Sequence, residues 1–217
     1  MPKRIALLGA GGHAKVVWNT LQLIARREDL VVEAVLDDNP QLWGRPFMGI
    51  LIRGPLQSVE QIKVDAAVIA IGSNLARCRA SKLIESVGLP LMSAIHPSAI
   101  IAREVQLGQG VVAFANVVVN SDSEIGANVI LNTACTVDHD CRVGAHSHLA
   151  PGVHVAGGVS VGDGVLLGIG AIALPGVAIG PWATIGAGSV VTGDIPGQVT
   201  AAGVPARILH GKDSNGV

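Results

Sequence analysis

A chain of 217 residues, 49% hydrophobic but only 14% charged and 2% aromatic, can bury a sizeable core, built from aliphatic and small side chains because it has no tyrosine. A net charge of −1 with no basic cluster argues against a nucleic-acid footprint, and despite a positive mean hydropathy no apolar run reaches the ~18–20 residues that span a bilayer. The three cysteines, Cys78, Cys135 and Cys141, make no disulfide framework and predict a reduced, cytoplasmic protein.

Residues 1–92 alternate strands with helices. The stretch RIALLGAGGHAKVVWNTLQLIA reads as an apolar strand, a glycine turn and a helix with Val16, Val17, Leu21 and Ile24 spaced for one buried face. VVEAVLDD predicts a second strand ending at Asp37 and Asp38. DAAVIAIGSN predicts a third with Gly72 at its tip, and NLARCRASKLIESVG a helix stopped by Gly88. This alternation predicts a small parallel sheet, a Rossmann-like half, with ligands at the C-terminal ends of its strands. The turn from Gly9 to Ala14 fits the dinucleotide fingerprint loosely. It gathers free N–H groups and a helix N-terminus, which suits a phosphate; a tight structural turn is the alternative. Residues 1–92 are too few for the two mononucleotide halves of a full NAD domain, so a single nucleoside diphosphate fits better. Asp37 and Asp38 suit hydrogen bonds from a ribose or base, or simply begin the polar loop DDNPQ.

Residues 93–217 carry a repeat and end in a C-terminal tail. Every sixth residue from Ile95 to Val191 is aliphatic, and two positions earlier, from Val105 to Ser189, only Val, Ser, Cys or Ala occurs. No insertion breaks the register. A period of six does not fit an amphipathic α-helix, whose period is near 3.6. It predicts a parallel β-helix in which each hexad supplies a short strand and a corner, and the aliphatic residue stacks inward. In this frame Cys135 and Cys141 take the small inward position and read as packing. The pattern resembles the hexapeptide-repeat acyltransferases, whose left-handed β-helix takes three hexads, about 18 residues, per coil.

The motifs GAGGHAK, LDD and AIGSN, joined through IHPSA to the repeat, together with NTACTVDHDC and AGVPARIL, resemble one group of that class across the whole chain. These are the bacterial N-acetyltransferases of nucleotide-linked 4-amino-4,6-dideoxysugars, of the bacillosamine and perosamine type, which serve surface glycan synthesis. The resemblance implies a homotrimer with acetyl-CoA in a groove between adjacent β-helices, and no metal. It implies that Gly11, Gly12 and His13 contact the phosphate region, and that Asp37, Asp38 and Gly72 contact the rest of the nucleotide. It assigns His139 and Asp140 to catalysis, and His148, Ile169 and Ala187 to acetyl-CoA.

From Val105 to Val191 the chain has six charged residues, and Asp138, Asp140 and Arg142 are three of them. The chemistry accounts for the cluster. An amine attacking a thioester must lose a proton, and imidazole titrates near neutral pH, so His139 can take it. An adjacent carboxylate fixes the tautomer and stabilises the imidazolium. Asp140 fills this role with a shorter side chain than a glutamate, and Asp138, on the other side of the histidine, is expected to point elsewhere. One coil along from His139 stands Gly157, whose unobstructed N–H suits a developing oxyanion. Half a coil along stands His148, on a different face of the same prism, so the two histidines can share a site only across subunits. His146 and His154 read as surface or interface residues, and Trp182 as lining a groove or capping a face. The runner-up reaction is O-acetylation of a sialic acid, which the same pair serves. A γ-class carbonic anhydrase would need three histidines converging on zinc and leaves the N-terminal half unexplained. A structural scaffold is the non-catalytic rival.

Overall fold

Residues 1–209 of the computed structural model are described; the expected tail, 210–217, lies outside them. The chain begins β1 (Lys3–Leu8), α1 (Gly12–Ile24), β2 (Leu30–Leu36), a hairpin of β3 (Pro46–Phe47) and β4 (Ile50–Leu51), β5 (Ala66–Ile69) and α2 (Asn74–Ser86). The apolar runs of β1, β2 and β5 pair in parallel in the order β2-β1-β5, which places the Gly9 turn, Asp37 and Gly72 at one end of the sheet. Helix α1 buries Ala14, Val17, Trp18, Leu21 and Ile24. Val16, expected on that face, is instead 41% exposed. The i, i+3, i+4, i+7 stripe runs through Ala14, Val17, Trp18 and Leu21 and leaves position 16 off it. The hairpin, which the sequence pattern did not suggest, closes this core by setting Phe47 edge-on to Trp18, with ring centroids 6.2 Å apart.

From Ala94 onward the chain winds as a left-handed β-helix of two-residue strands, and each coil advances eighteen residues, as the pairing of Val118 with Thr136 and of Thr136 with His154 records. Three parallel sheets form the faces of a triangular prism. The second residue of each strand points inward, so Val119, Val137, Val155 and Ala173 stack in one column of the core. Each fully buried valine or leucine contributes about 1.5–3 kcal/mol, and each coil adds a rung of backbone hydrogen bonds such as Val118 N–H to Cys135 O, 3.1 Å. Leu107 departs from the pattern and is 37% exposed. It belongs to the first strand on its face, so nothing packs over one side of it.

The corners explain the rest of the composition. A left-handed residue recurs every six positions, including Gly110, Asn116, Asp122, Asn128, Asp140, His146, Gly152 and Gly158. Gly, Asn and Asp adopt that region most readily. The buried serines also belong to the corners: Ser123 Oγ donates to Asp138 O at 2.7 Å and accepts from Cys141 N at 3.1 Å, so it is satisfied without water. Cys135 and Cys141 are fully buried in the same core, and burial pushes the Cys135 thiol up to about 12, which fits packing and not nucleophilic chemistry.

The three faces differ outside. One, carrying Ala94, Val112, Ile130 and His148, is covered by the N-terminal sheet and helices, and Val112 and Phe114 join their core. A second presents Gln106, Glu124, Arg142 and Ser160 and is polar. The third presents Ile100, Val118, Thr136, His154, Ile172 and Val190; it is apolar at both ends with a polar pair at its centre, and it is uncovered, with Ile100 66% exposed.

Along one edge, glycines stack so closely that a Cβ on Gly126 would lie 2.6 Å from Ala145 N. Gly126→Ala is therefore expected to lower stability by about 1–3 kcal/mol, read as a reduced urea midpoint at fixed protein concentration. An unchanged midpoint would contradict this packing.

Candidate active site

His139 and Asp140 follow the strand Thr136–Val137 and occupy the corner between the apolar and polar faces. The backbone turns left-handed at Asp140, φ 58°, and the reversal carries its short carboxylate back over the preceding residue. His139 Nδ1–H donates to Asp140 Oδ2 at 2.7 Å. The proton thus sits on Nδ1, and Nε2 keeps a free lone pair. Asp138 does point elsewhere: its Oδ1 accepts from Asn120 Nδ2 and from the backbone N–H of His139, both at 2.9 Å, and so braces the corner. The hydrogen bond to Asp140, and then the charge of Asp138, hold the His139 imidazole above its ordinary pKa.

Gly157 lies one coil along at the same corner. A Cβ there would come within 2.8 Å of His139 Nε2 and 2.7 Å of Cε1, so the ring rests on space that only glycine leaves open. The Gly157 N–H has no hydrogen-bond partner among the described residues. An imidazole with a free Nε2 therefore rests over the Gly157 backbone. His139 and Asp140 are 62% and 66% exposed at the side chain. The imidazole faces outward from a single chain.

His148 sits on the covered face, which is the face opposite the His139 edge of the prism. It meets His13 from the start of α1, ring centroids 6.1 Å apart, in an open cleft of about 530 Å³ that Gly72, Leu166 and Trp182 also line. Asn132 Nδ2 donates to His148 Nε2 at 3.1 Å, and Gly72 lines the cleft beside the ring. His13 Nε2 is buried without a partner. Burial, and then the charge of Arg77, push both rings down to about 4, so they are neutral hydrogen-bonding groups at neutral pH.

At the sheet end, Asp37 Oδ2 accepts from Ala10 N at 2.8 Å and Oδ1 from Asn39 N at 2.9 Å, so this carboxylate holds the glycine turn in shape. Asp38 Oδ1 accepts from Leu56 N at 2.9 Å. Gly11 and Gly12 have open space where a Cβ would stand. Ile169 and Ala187 stack on the corner between the covered and apolar faces, with Gly188 N donating to Ile169 O at 2.8 Å. The structure thus gathers His13, Gly72 and His148 in one place, His139, Asp140 and Gly157 in a second, and Ile169 with Ala187 in a third. His146 is tied to Asn128 Nδ2 at 2.9 Å and His154 to Thr136 Oγ1 at 2.9 Å. Among the described residues no group of three His, Cys, Asp or Glu side chains is placed to hold a metal ion.

The sequence reading passed over Arg77, Asn74 and Asn132. Arg77 had a visible signal, since it shares the buried stripe of α2 with Ala80 and Ile84. An arginine on an apolar stripe marks a packed cation or a docking contact.

Comparisons with known proteins agree with this architecture. Residues 4–84 match the PglD N-terminal domain family, and residues 158–193 match the bacterial transferase hexapeptide (six repeats) family. The structure of PerB from Caulobacter crescentus, in complex with CoA and GDP-perosamine, is 42% identical, with a TM-score of 0.87 over 95% of this chain and 97% of that one. The acetyltransferase domain of PglB from Neisseria gonorrhoeae, in complex with acetyl coenzyme A, is 31% identical, with a TM-score of 0.87 over 96% and 100%. The UDP-N-acetylbacillosamine N-acetyltransferase of Bacillus subtilis is 38% identical over 122 residues, a match that spans 52% of this chain and about half, 52%, of that curated relative. The chain belongs to the family of bacterial nucleotide-sugar N-acetyltransferases of the perosamine and bacillosamine type, which join a PglD-like N-terminal domain to a hexapeptide-repeat β-helix.

Proposed function

We propose that the chain is a cytoplasmic, homotrimeric, acetyl-CoA-dependent N-acetyltransferase acting on the 4-amino group of a UDP- or GDP-linked 4-amino-4,6-dideoxysugar. The observation that carries the reading is the His139–Asp140 pair, its Nε2 free and its ring resting over the space that Gly157 leaves open. In this scheme the amine nitrogen attacks the thioester carbonyl carbon while His139 Nε2 takes its proton. The Gly157 N–H stabilises the tetrahedral oxyanion. The C–S bond then breaks, and the departing CoA thiolate recovers the proton from the imidazolium. The thioester is already activated, so no covalent enzyme intermediate is required.

The prism supports a trimer. The nucleotide-sugar reading places the sugar in the cleft of His13, Gly72 and His148, on the face opposite His139. One chain cannot bring the two together. The uncovered apolar face has the His139 corner along one edge and the Ile169–Ala187 corner along the other. Three such faces packed around a threefold axis would set the His139 edge of one subunit beside the Ile169 edge and the cleft of the next. An elongated acetyl-CoA fits a groove between them. Gly11, Gly12 and the Asp37–Asp38 end of β2 would then take the nucleoside diphosphate. GDP-perosamine leads the candidates, because the 42% identical relative is in complex with it.

The reading is tested by release of CoA thiol with a panel of UDP- and GDP-linked 4-amino-4,6-dideoxysugars, with free sialic acid alongside. Turnover with a nucleotide amino sugar is expected, and activity on sialic acid alone would overturn the reading. His139→Asn should lower kcat roughly 10²–10⁴-fold, the usual loss for a general base. Because the Asp140 hydrogen bond raises the His139 pKa, and the base must be neutral to act, activity should climb as pH rises through that pKa. Asp140→Asn removes the largest cause of the rise, so the acid limb of the kcat profile should move to lower pH while the plateau falls. A limb that stays in place would detach Asp140 from the base. Gly157→Ala, whose methyl would collide with the imidazole, should cost about 10- to 100-fold in kcat with the fold intact.

A further inference from the structure

Arg77 lies midway along the interface between the N-terminal domain and the β-helix, on α2, and is fully buried. Among the described residues no carboxylate pairs with it, and every acceptor it reaches is neutral. Its Nη1 donates to the carbonyls of Ile71 and Gly72 at 3.2 and 3.1 Å, the loop that follows β5. Its Nε donates to Asn128 O at 3.0 Å, and its Nη2 to His146 O at 2.6 Å and Ser147 O at 3.1 Å. Asn128 and His146 are stacked corners of adjacent coils, one directly above the other. The remaining Nη2 contact is Asn74 Oδ1 at 2.9 Å. Asn74 in turn donates from Nδ2 to Gly164 O at 3.0 Å, the corresponding corner of the next coil.

A cation buried without a counter-charge is costly where an apolar side chain would pack. Only a guanidinium offers five N–H donors in a rigid plane, enough to serve a loop and two coil corners at once. Gly72 is where the arrangement meets the cleft, because its carbonyl accepts from Arg77 and the residue lines the cleft together with His148. We propose that Arg77 is a positioning residue for acetyl transfer: braced by Asn74, it locks the Gly72 loop of the nucleotide-binding sheet to the coil that carries His148, and so sets how the bound sugar presents its amine. The proposal rests on the nucleotide-sugar reading above. Arg77 touches no reacting atom in this scheme; it acts through Gly72 and His148. That its charge also helps keep His13 and His148 neutral agrees with its place behind the cleft.

The test uses the full chain with Arg77→Lys and, because the buried arginine is the riskier change for folding, Asn74→Ala. Lysine keeps the charge but offers a single donor point in place of the fork. For each variant one measures the melting midpoint, the Kd of UDP, GDP and acetyl-CoA, and kcat with the best nucleotide amino sugar. Both variants should fold and bind the nucleoside diphosphate within about twofold of wild type, yet lose roughly 10- to 100-fold in kcat, the scale of a misplaced reacting group. Unchanged kcat in both variants would overturn the proposal, and full rescue by lysine would too, since a role for charge alone would then suffice. A kcat loss no greater than the fall in folded fraction would reduce Arg77 to a stability contact and likewise overturn it. Silence of the wild-type enzyme across all nucleotide amino sugars is a different result, which removes the acetyl-transfer reading and this proposal together.

Discussion

Everything in this molecule depends on one closure condition: the chain must return to the same corner every eighteen residues, as the strand pairings and stacked corners record. Each coil is too thin to hold a core of its own, so its inward aliphatic residue is stable only when stacked on its neighbours. The corner must turn left-handed in every hexad, and the edge where Gly126 meets Ala145 has no room for a side chain. The scarcity of charge and aromatic side chains is a direct result. A bulky or ionised inward residue would open the stack, and an insertion would shift every later coil.

The same closure divides the functional groups. A triangular prism sets each edge opposite a face, and here the edge with His139 and Asp140 stands opposite the face that the N-terminal domain covers. The electrostatics differ accordingly. At the exposed edge an acid raises the basicity of an imidazole, whereas in the cleft burial and Arg77 strip the charge from two others. One ring is made more basic than an ordinary imidazole, and the other two are held neutral at neutral pH. In the proposed enzyme the two environments meet only when a second copy supplies the missing half.

The repeat was legible because it is written in residue identity at fixed spacing, and spacing survives without knowledge of any contact. The strands of the N-terminal sheet and the turn at Gly9 were legible for the same reason. Val16 was misplaced on α1 because an apolar residue next to the stripe looks like part of it until Trp18 is seen to take the face. The reach of the short Asp140 side chain was left open by the sequence, since it depends on the left-handed backbone at that one residue. The network around Arg77 was out of reach altogether. Its acceptors are mostly backbone carbonyls, which every residue has, and only the docking of α2 on three stacked corners makes them converge.

The most direct test of the account is subunit complementation. His139→Asn, which removes the base, and His13→Trp, which fills the cleft, are each made as inactive proteins and then unfolded and refolded together in equal amounts. If a site takes its base from one subunit and its cleft from the next, random mixing restores intact sites in the mixed trimers and returns about a quarter of wild-type activity. A mixture as inactive as either parent, with mixed trimers present, would mean that base and cleft serve within one chain, and would contradict the account.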